Sequence, residues 1–151
     1  MSDTFTQEYW KQEAGERWAR SHTRLDELMQ PYADLLLDRA DLAPGRSVVD
    51  VGCGAGAVTL SAARVCGPDR VHGVDISTPL LRLAERLAAD ADLGVRFVEQ
   101  DATHWQPDAP VDRVISRFGV MFFEDPPAAF RNLRSWLAPE GRLAALCWQA
   151  R

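Results

Sequence analysis

The chain has 151 residues, with 46% hydrophobic and 26% charged residues and a net charge of −5. At that size roughly 68–70% of the unfolded surface can be buried, and the usage is ordinary for a globular domain, which excludes a disordered chain, a collagen-like chain and a disulfide-dense miniprotein. No apolar run approaches the ~20 residues of a membrane span, and the opening MSDTFTQEYW has neither part of a signal peptide, so a cytoplasmic protein is expected.

Residues 1–44 read as helical. Trp10, Ala14 and Trp18 recur every four positions, and Leu25, Leu28 and Met29 continue the stripe. Pro31 suits the first turn of a second helix carrying Leu35, Leu36 and Leu37, and Pro44-Gly45 stops it. SVVDV (47–51) has the pattern of a buried strand, and VTLSAARVCG (58–67) that of a helix closed by Gly67. VHGVD (71–75) is a second strand. Ser77 is placed to cap the next helix, with Pro79 in its first turn and LLRLAERLAAD (80–90) as its body. VRFVEQ (95–100) and VDRVIS (111–116) are the third and fourth strands. PPAAFRNLRSWLA (126–138) is a helix led by prolines, and Pro139-Glu140-Gly141 turns into a fifth strand, RLAALCW (142–148). Strands alternating with helices predict βαβ units, and so a doubly wound α/β domain with a parallel sheet.

The 17 basic residues are spread along the chain without a cluster, so nucleic acid is not the expected partner. Cys53, Cys66 and Cys147 are an odd number without a CxxC pair, and His22, His72 and His104 lack ligand spacing, so no metal site is expected.

The informative stretch is VVDVGCGAGAVTL (48–60). Gly52, Gly54 and Gly56 lie between a strand and a helix, where glycine permits a tight turn and close approach of a ligand to free backbone N–H groups. In such sheets the ligand lies outside the carboxyl ends of the strands. A ligand-free turn is the bland alternative. Gly52, Gly54 and Ala57 also satisfy the looser dinucleotide fingerprint. Asp75, 19 residues past Gly56, could accept hydrogen bonds from a ribose diol in either case. Asp50 discriminates: it would repel a pyrophosphate and attract an ammonium, which favours an amino-acid-bearing adenosine over NAD. Asp101, after the third strand, could accept an adenine amino group. Each acid also has a plain reading, as a loop cap or a solvated turn residue.

In that order these residues resemble the class I S-adenosylmethionine-dependent methyltransferases over roughly 45–148. DVGCGAG (50–56) looks like the family's first motif, GVDIS (73–77) like its second and EQDA (99–102) like its third. ISRFGVMFFEDPPAAFRNLRSWLAPEGRLAALCW (115–148) is similar to the subgroup of ubiquinone/menaquinone-biosynthesis-like small-molecule methyltransferases. The resemblance implies a Rossmann-like core at 45–151 binding S-adenosylmethionine, with 1–44 covering cofactor and substrate. It places Gly52, Cys53, Gly54 and Gly56 against the methionine and ribose, and Asp50 near the ammonium. It also places Asp75 on the ribose diol, Ile76 on the adenine face, Asp101 and Ala102 at the adenine edge, and Ser116 near the methionine end.

No catalytic residue is assigned. Methyl transfer from a sulfonium chiefly needs alignment. His22, His104 and Asp125 are the candidate bases should one be needed, and Arg117 is a candidate for steering an acidic substrate. The family's sheet has seven strands, and this chain supplies about five. The fifth would be an exposed edge, which predicts either a longer parent enzyme or a homodimer through that edge. A catalytically incomplete binding module or partner subunit is the alternative function, and an NAD-binding oxidoreductase a more distant one.

Overall fold

The computed structural model describes residues 7–149; residues 1–6 of the expected helical segment, and residues 150–151, lie outside the described ones. Three helices lead, α1 (Gln7–Lys11), α2 (Glu13–Arg20) and α3 (His22–Arg39). The core follows as β1 (Val48–Val51), α4 (Ala57–Cys66), β2 (Val71–Asp75), α5 (Thr78–Asp90), β3 (Arg96–Glu99), β4 (Val111–Arg117), α6 (Pro126–Ser135) and β5 (Leu137–Leu146). All pairings are parallel and the spatial order is β3-β2-β1-β4-β5.

β1 is central and buried at all four positions, because helices cover both faces. On one face Val48, Val71 and Ile115 pack with Leu36 of α3 and Val58 of α4. On the other, Val49, Val51, Val74 and Val114 pack with Leu133 and Trp136 at the end of α6. The chain runs from β1 outward to β3 and then returns to β4 on β1's other side. The strand order therefore reverses between β1 and β4, which opens a crevice at their carboxyl ends.

The structure corrects three expectations. Pro31 does not begin a helix; it lies inside α3. It lacks an N–H for the Glu27 carbonyl, but both residues face solvent, where water can replace that bond. Ser77 is the N-cap of α5 in position only. Its own N–H is held by Asp75 Oδ1 at 2.9 Å, and its hydroxyl is buried without a partner among the described residues. Pro139-Glu140-Gly141 is not a turn before the last strand, because β5 already begins at Leu137. Its register jumps from Val111↔Leu137 to Arg113↔Arg142, so these three residues form an irregular bulge within it. Trp136, 1% exposed, anchors that start, and its carbonyl accepts the Val111 N–H at 2.8 Å.

The leading helices are fastened to the core. Gly15 lets α2 lie against the start of α5; a Cβ there would strike Ser77 Oγ and the Trp10 carbonyl. At the other end of the sheet the buried Arg113 donates to the Ala40 carbonyl at 2.7 Å and pairs with Asp41 at 2.6 Å, which fixes the end of α3.

Candidate functional site

The loops after β1 and β4 meet at the reversal of strand order. Gly52 takes the left-handed φ of +68°, and a Cβ on it would lie 2.7 Å from Gly119 Cα. A Cβ on Gly119 would lie 2.5 Å from the Val51 carbonyl oxygen. Only glycine at both positions lets the two loops touch. Ser116 fastens the junction. Its hydroxyl donates to the Val51 carbonyl at 2.7 Å and accepts the N–H groups of Gly119 and Val120.

Above this junction is a small pocket of about 70 Å³. Gly52, Asp75, Ile76, Asp101 and Ala102 line it, five of the positions singled out from sequence. Val51, Val74, Gln100, Gly119, Phe122 and Phe123 complete its walls, and Gln7 and Trp10 of α1 cover it.

Asp75, at the tip of β2, holds the glycine loop. Its Oδ2 accepts the Gly54 N–H at 2.8 Å, and its Oδ1 accepts that of Ser77. Burial pushes its carboxyl above the usual range, and those N–H groups partly offset the rise. Asp101, at the end of β3's loop, behaves oppositely. Burial pushes it up, but hydrogen bonds from the Thr103 N–H, the Thr103 hydroxyl and Gln7 more than compensate, leaving it below the usual range. Gln7 Nε2 donates to Asp101 Oδ2 at 3.0 Å. Two carboxylates with spare acceptor lone pairs thus sit at the ends of adjacent strands.

The other five positions do not line the pocket. Asp50 is 1% exposed and lies behind the glycine loop, accepting from Thr59 Oγ1 of α4 at 2.7 Å. Burial drives its pKa up to about 7. Cys53 is buried beneath the loop. Burial, and the Asp75 and Asp50 charges, hold its thiol protonated, which rules it out as a nucleophile. Gly54 supplies the N–H that Asp75 holds. Gly56, at φ +86°, keeps α4 close to the sheet, since a Cβ would press on Phe97 and Ala84 at 3.1–3.2 Å. Ser116 is spent on the junction.

The candidate bases are elsewhere. Asp125 caps α6 by accepting the Ala128 N–H at 3.0 Å. His22 approaches the Ala19 carbonyl at 3.0 Å, and His104 is exposed. Arg117 pairs with Asp26 at 3.7 Å. Among the described residues Asp75 and Asp101 are the pocket's only ionisable lining. Tyr32 and Trp148 also lie outside it, packed on Phe118, which has a left-handed φ of +65°. Trp148 follows β5 and is 54% exposed rather than a strand residue.

Sequence reasoning missed Gln7, Gln100, Gly119, Phe122 and Phe123. Gly119 had a signal, a glycine just past a strand. Gln7 had none, because its role depends on how α1 is laid across β3's loop.

Comparison with known proteins gives the family. Residues 48–141 match the family model described as a methyltransferase domain. The chain is 37% identical over 120 residues to nocamycin O-methyltransferase of Saccharothrix syringae, covering 78% of this chain and 43% of that one. It is 35% identical over 108 residues to phosphoethanolamine N-methyltransferase 3 of Arabidopsis thaliana, covering 71% of this chain and 22% of that one. Coclaurine N-methyltransferase, solved with N-methylheliamine and SAH, superposes with a TM-score of 0.69 at 28% identity, covering 80% of this chain and 36% of that one. The chain thus spans less than half the length of each of these relatives. It belongs to the class I S-adenosylmethionine-dependent methyltransferase family.

Proposed function

We propose that this chain is the cofactor-binding part of a methyltransferase that uses S-adenosylmethionine to methylate a small-molecule acceptor. The observation that carries the reading is one pocket, at the reversal of strand order, that Gly52 of the glycine loop, Asp75 and Asp101 all line. The donor set fits the cofactor. Asp75 offers acceptor lone pairs to a ribose diol, and Asp101 with Ala102 forms an edge for an adenine amino group. Ile76 is the apolar face for the ring. Gly52 presents bare backbone to the methionine chain, while Cys53, Gly54 and Gly56 shape the loop, and Asp50 supplies negative charge behind it for the ammonium. Ser116 holds the β4 loop in place.

When bound, the cofactor supplies a methyl group on a positively charged sulfur. The chain's share of the work is then orientation and exclusion of water. Val51, Phe122, Phe123 and Trp10 give the pocket apolar walls. Holding the reacting groups in line can lower a barrier by roughly 7–11 kcal/mol without a base. The named relatives act on oxygen and on nitrogen, so the same scaffold serves either acceptor. Titration calorimetry of the purified chain with S-adenosylhomocysteine should show saturable one-site binding, and NADH should show none. No binding of S-adenosylhomocysteine to demonstrably folded protein would falsify the reading.

A homodimer through β5 is the second part of the proposal. Among the described residues β5 pairs on one side only, and Leu143 on it is 36% exposed, a combination that favours pairing with another strand. Light scattering should give twice the 16.8 kDa of one chain; a monomer at high concentration overturns it. The cytoplasm is the proposed compartment, supported by three free cysteines and checked by cell fractionation.

A further inference from the structure

One residue of the pocket's lining has a hydrogen-bond donor that the described chain leaves unused. Trp10 lines the pocket from α1. Its indole Nε1 is buried and has no partner among the described residues. The ring is held on three sides, by Trp18 at 5.7 Å, Phe122 at 5.3 Å and Tyr9 at 5.8 Å between centroids. A buried N–H held without an acceptor is rare in folded proteins, because the hydration it lost is not replaced.

α1 is also tied down. Gln7, three residues before Trp10 and so on the same side of the helix, donates to Asp101 Oδ2 at 3.0 Å. The other oxygen of Asp101 already accepts the Thr103 N–H at 2.9 Å and the Thr103 hydroxyl at 2.7 Å. The short helix is therefore pinned at the Asp101 end of the pocket, and Trp10 comes with it.

We propose that Trp10 Nε1 donates a hydrogen bond to the adenosine part of the bound cofactor, and that Gln7 positions it by anchoring α1 to Asp101. The inference rests on the S-adenosylmethionine reading above. The acceptors such a ligand brings to this end are adenine ring nitrogens and ribose oxygens. Trp10 is then a specificity residue for the nucleoside, beyond its part in covering the pocket.

Trp10→Phe keeps an aromatic ring against Trp18 and Phe122 and deletes the N–H. It should weaken S-adenosylhomocysteine about five- to tenfold, the scale of one neutral hydrogen bond. 5′-Methylthioadenosine, which lacks the amino-acid part, should weaken by a similar factor. The ligand-free melting temperature should stay the same or rise, since an unsatisfied donor has been removed. Replacing Trp10 with benzothienylalanine, which puts sulfur where the N–H was, repeats the test with the shape kept even if the phenylalanine variant folds poorly. Wild-type affinity for S-adenosylhomocysteine in either variant overturns the proposal, and so does a lowered melting temperature with affinity retained, which marks a packing role alone. Failure of the wild-type chain to bind S-adenosylhomocysteine overturns the underlying reading instead.

Discussion

Asp75→Asn is expected to weaken S-adenosylhomocysteine binding about 100-fold. The carboxylate of Asp75 accepts from Gly54 N–H and Ser77 N–H on its two oxygens and faces the pocket with its remaining lone pairs. Asparagine turns one oxygen into an NH2, which meets an N–H donor on the loop side and a hydroxyl on the ligand side. A hydrogen bond to a charged group contributes roughly 1.5–3 kcal/mol, so weakening the two that a ribose diol would make to Asp75 amounts to ~3 kcal/mol or about 100-fold. Calorimetry gives the dissociation constant, and circular dichroism checks that the variant is folded. Equal affinity in variant and wild type would remove Asp75 from the site and leave it as a loop anchor only.

Asp50→Asn is expected to stabilise the ligand-free chain by an amount that grows with pH. Burial raises the folded pKa of Asp50 from 3.8 to about 7, and the Thr59 hydrogen bond offsets only part of that. Between those two values the folded state holds a proton that the unfolded chain has released. Stability therefore falls as pH rises through that window and levels off above it, a total cost of about 4 kcal/mol. Asparagine does not ionise, so the stability difference between variant and wild type should widen by about 2–3 kcal/mol from pH 5 to pH 8. Urea unfolding at the two pH values measures it, and a difference that does not change with pH defeats the idea. The same variant should bind S-adenosylhomocysteine about tenfold less tightly at pH 8, because it removes a negative charge held behind the loop that would receive the ligand's ammonium. A group that burdens the empty fold and helps the loaded one is a familiar cost of binding sites.

Much of the fold was legible in local sequence. Apolar runs of four to seven residues, alternating with helices opened by proline or closed by glycine, mark β1 to β4 and α4 to α6 within a residue or two, except the end of α6. The errors have a common origin. Pro31 and Pro139-Glu140-Gly141 look like breaks in any local reading. The first survives inside α3 because Ala33 and Leu36 bury the helix against the sheet. The second survives inside β5 because Trp136 and the β4 pairing draw the chain into the strand before the bulge.

The site divides in the same way. Asp75 and Asp101 stand next to strand ends in the sequence, so their meeting follows from parallel strands of similar length, and local spacing was enough to find them. Asp50 and Ser116 also stand at strand ends, yet side-chain direction turns one towards Thr59 and the other towards the Val51 carbonyl. Local pattern was enough for the α/β class, the glycine loop and the acids that follow it, because each depends on neighbours a few residues apart. Which of those acids line the pocket, and that Gln7 and Trp10 of α1 join them there, follows from long-range packing. Those facts depend on contacts such as Gln7 to Asp101, 94 positions apart in the chain, which no local pattern encodes.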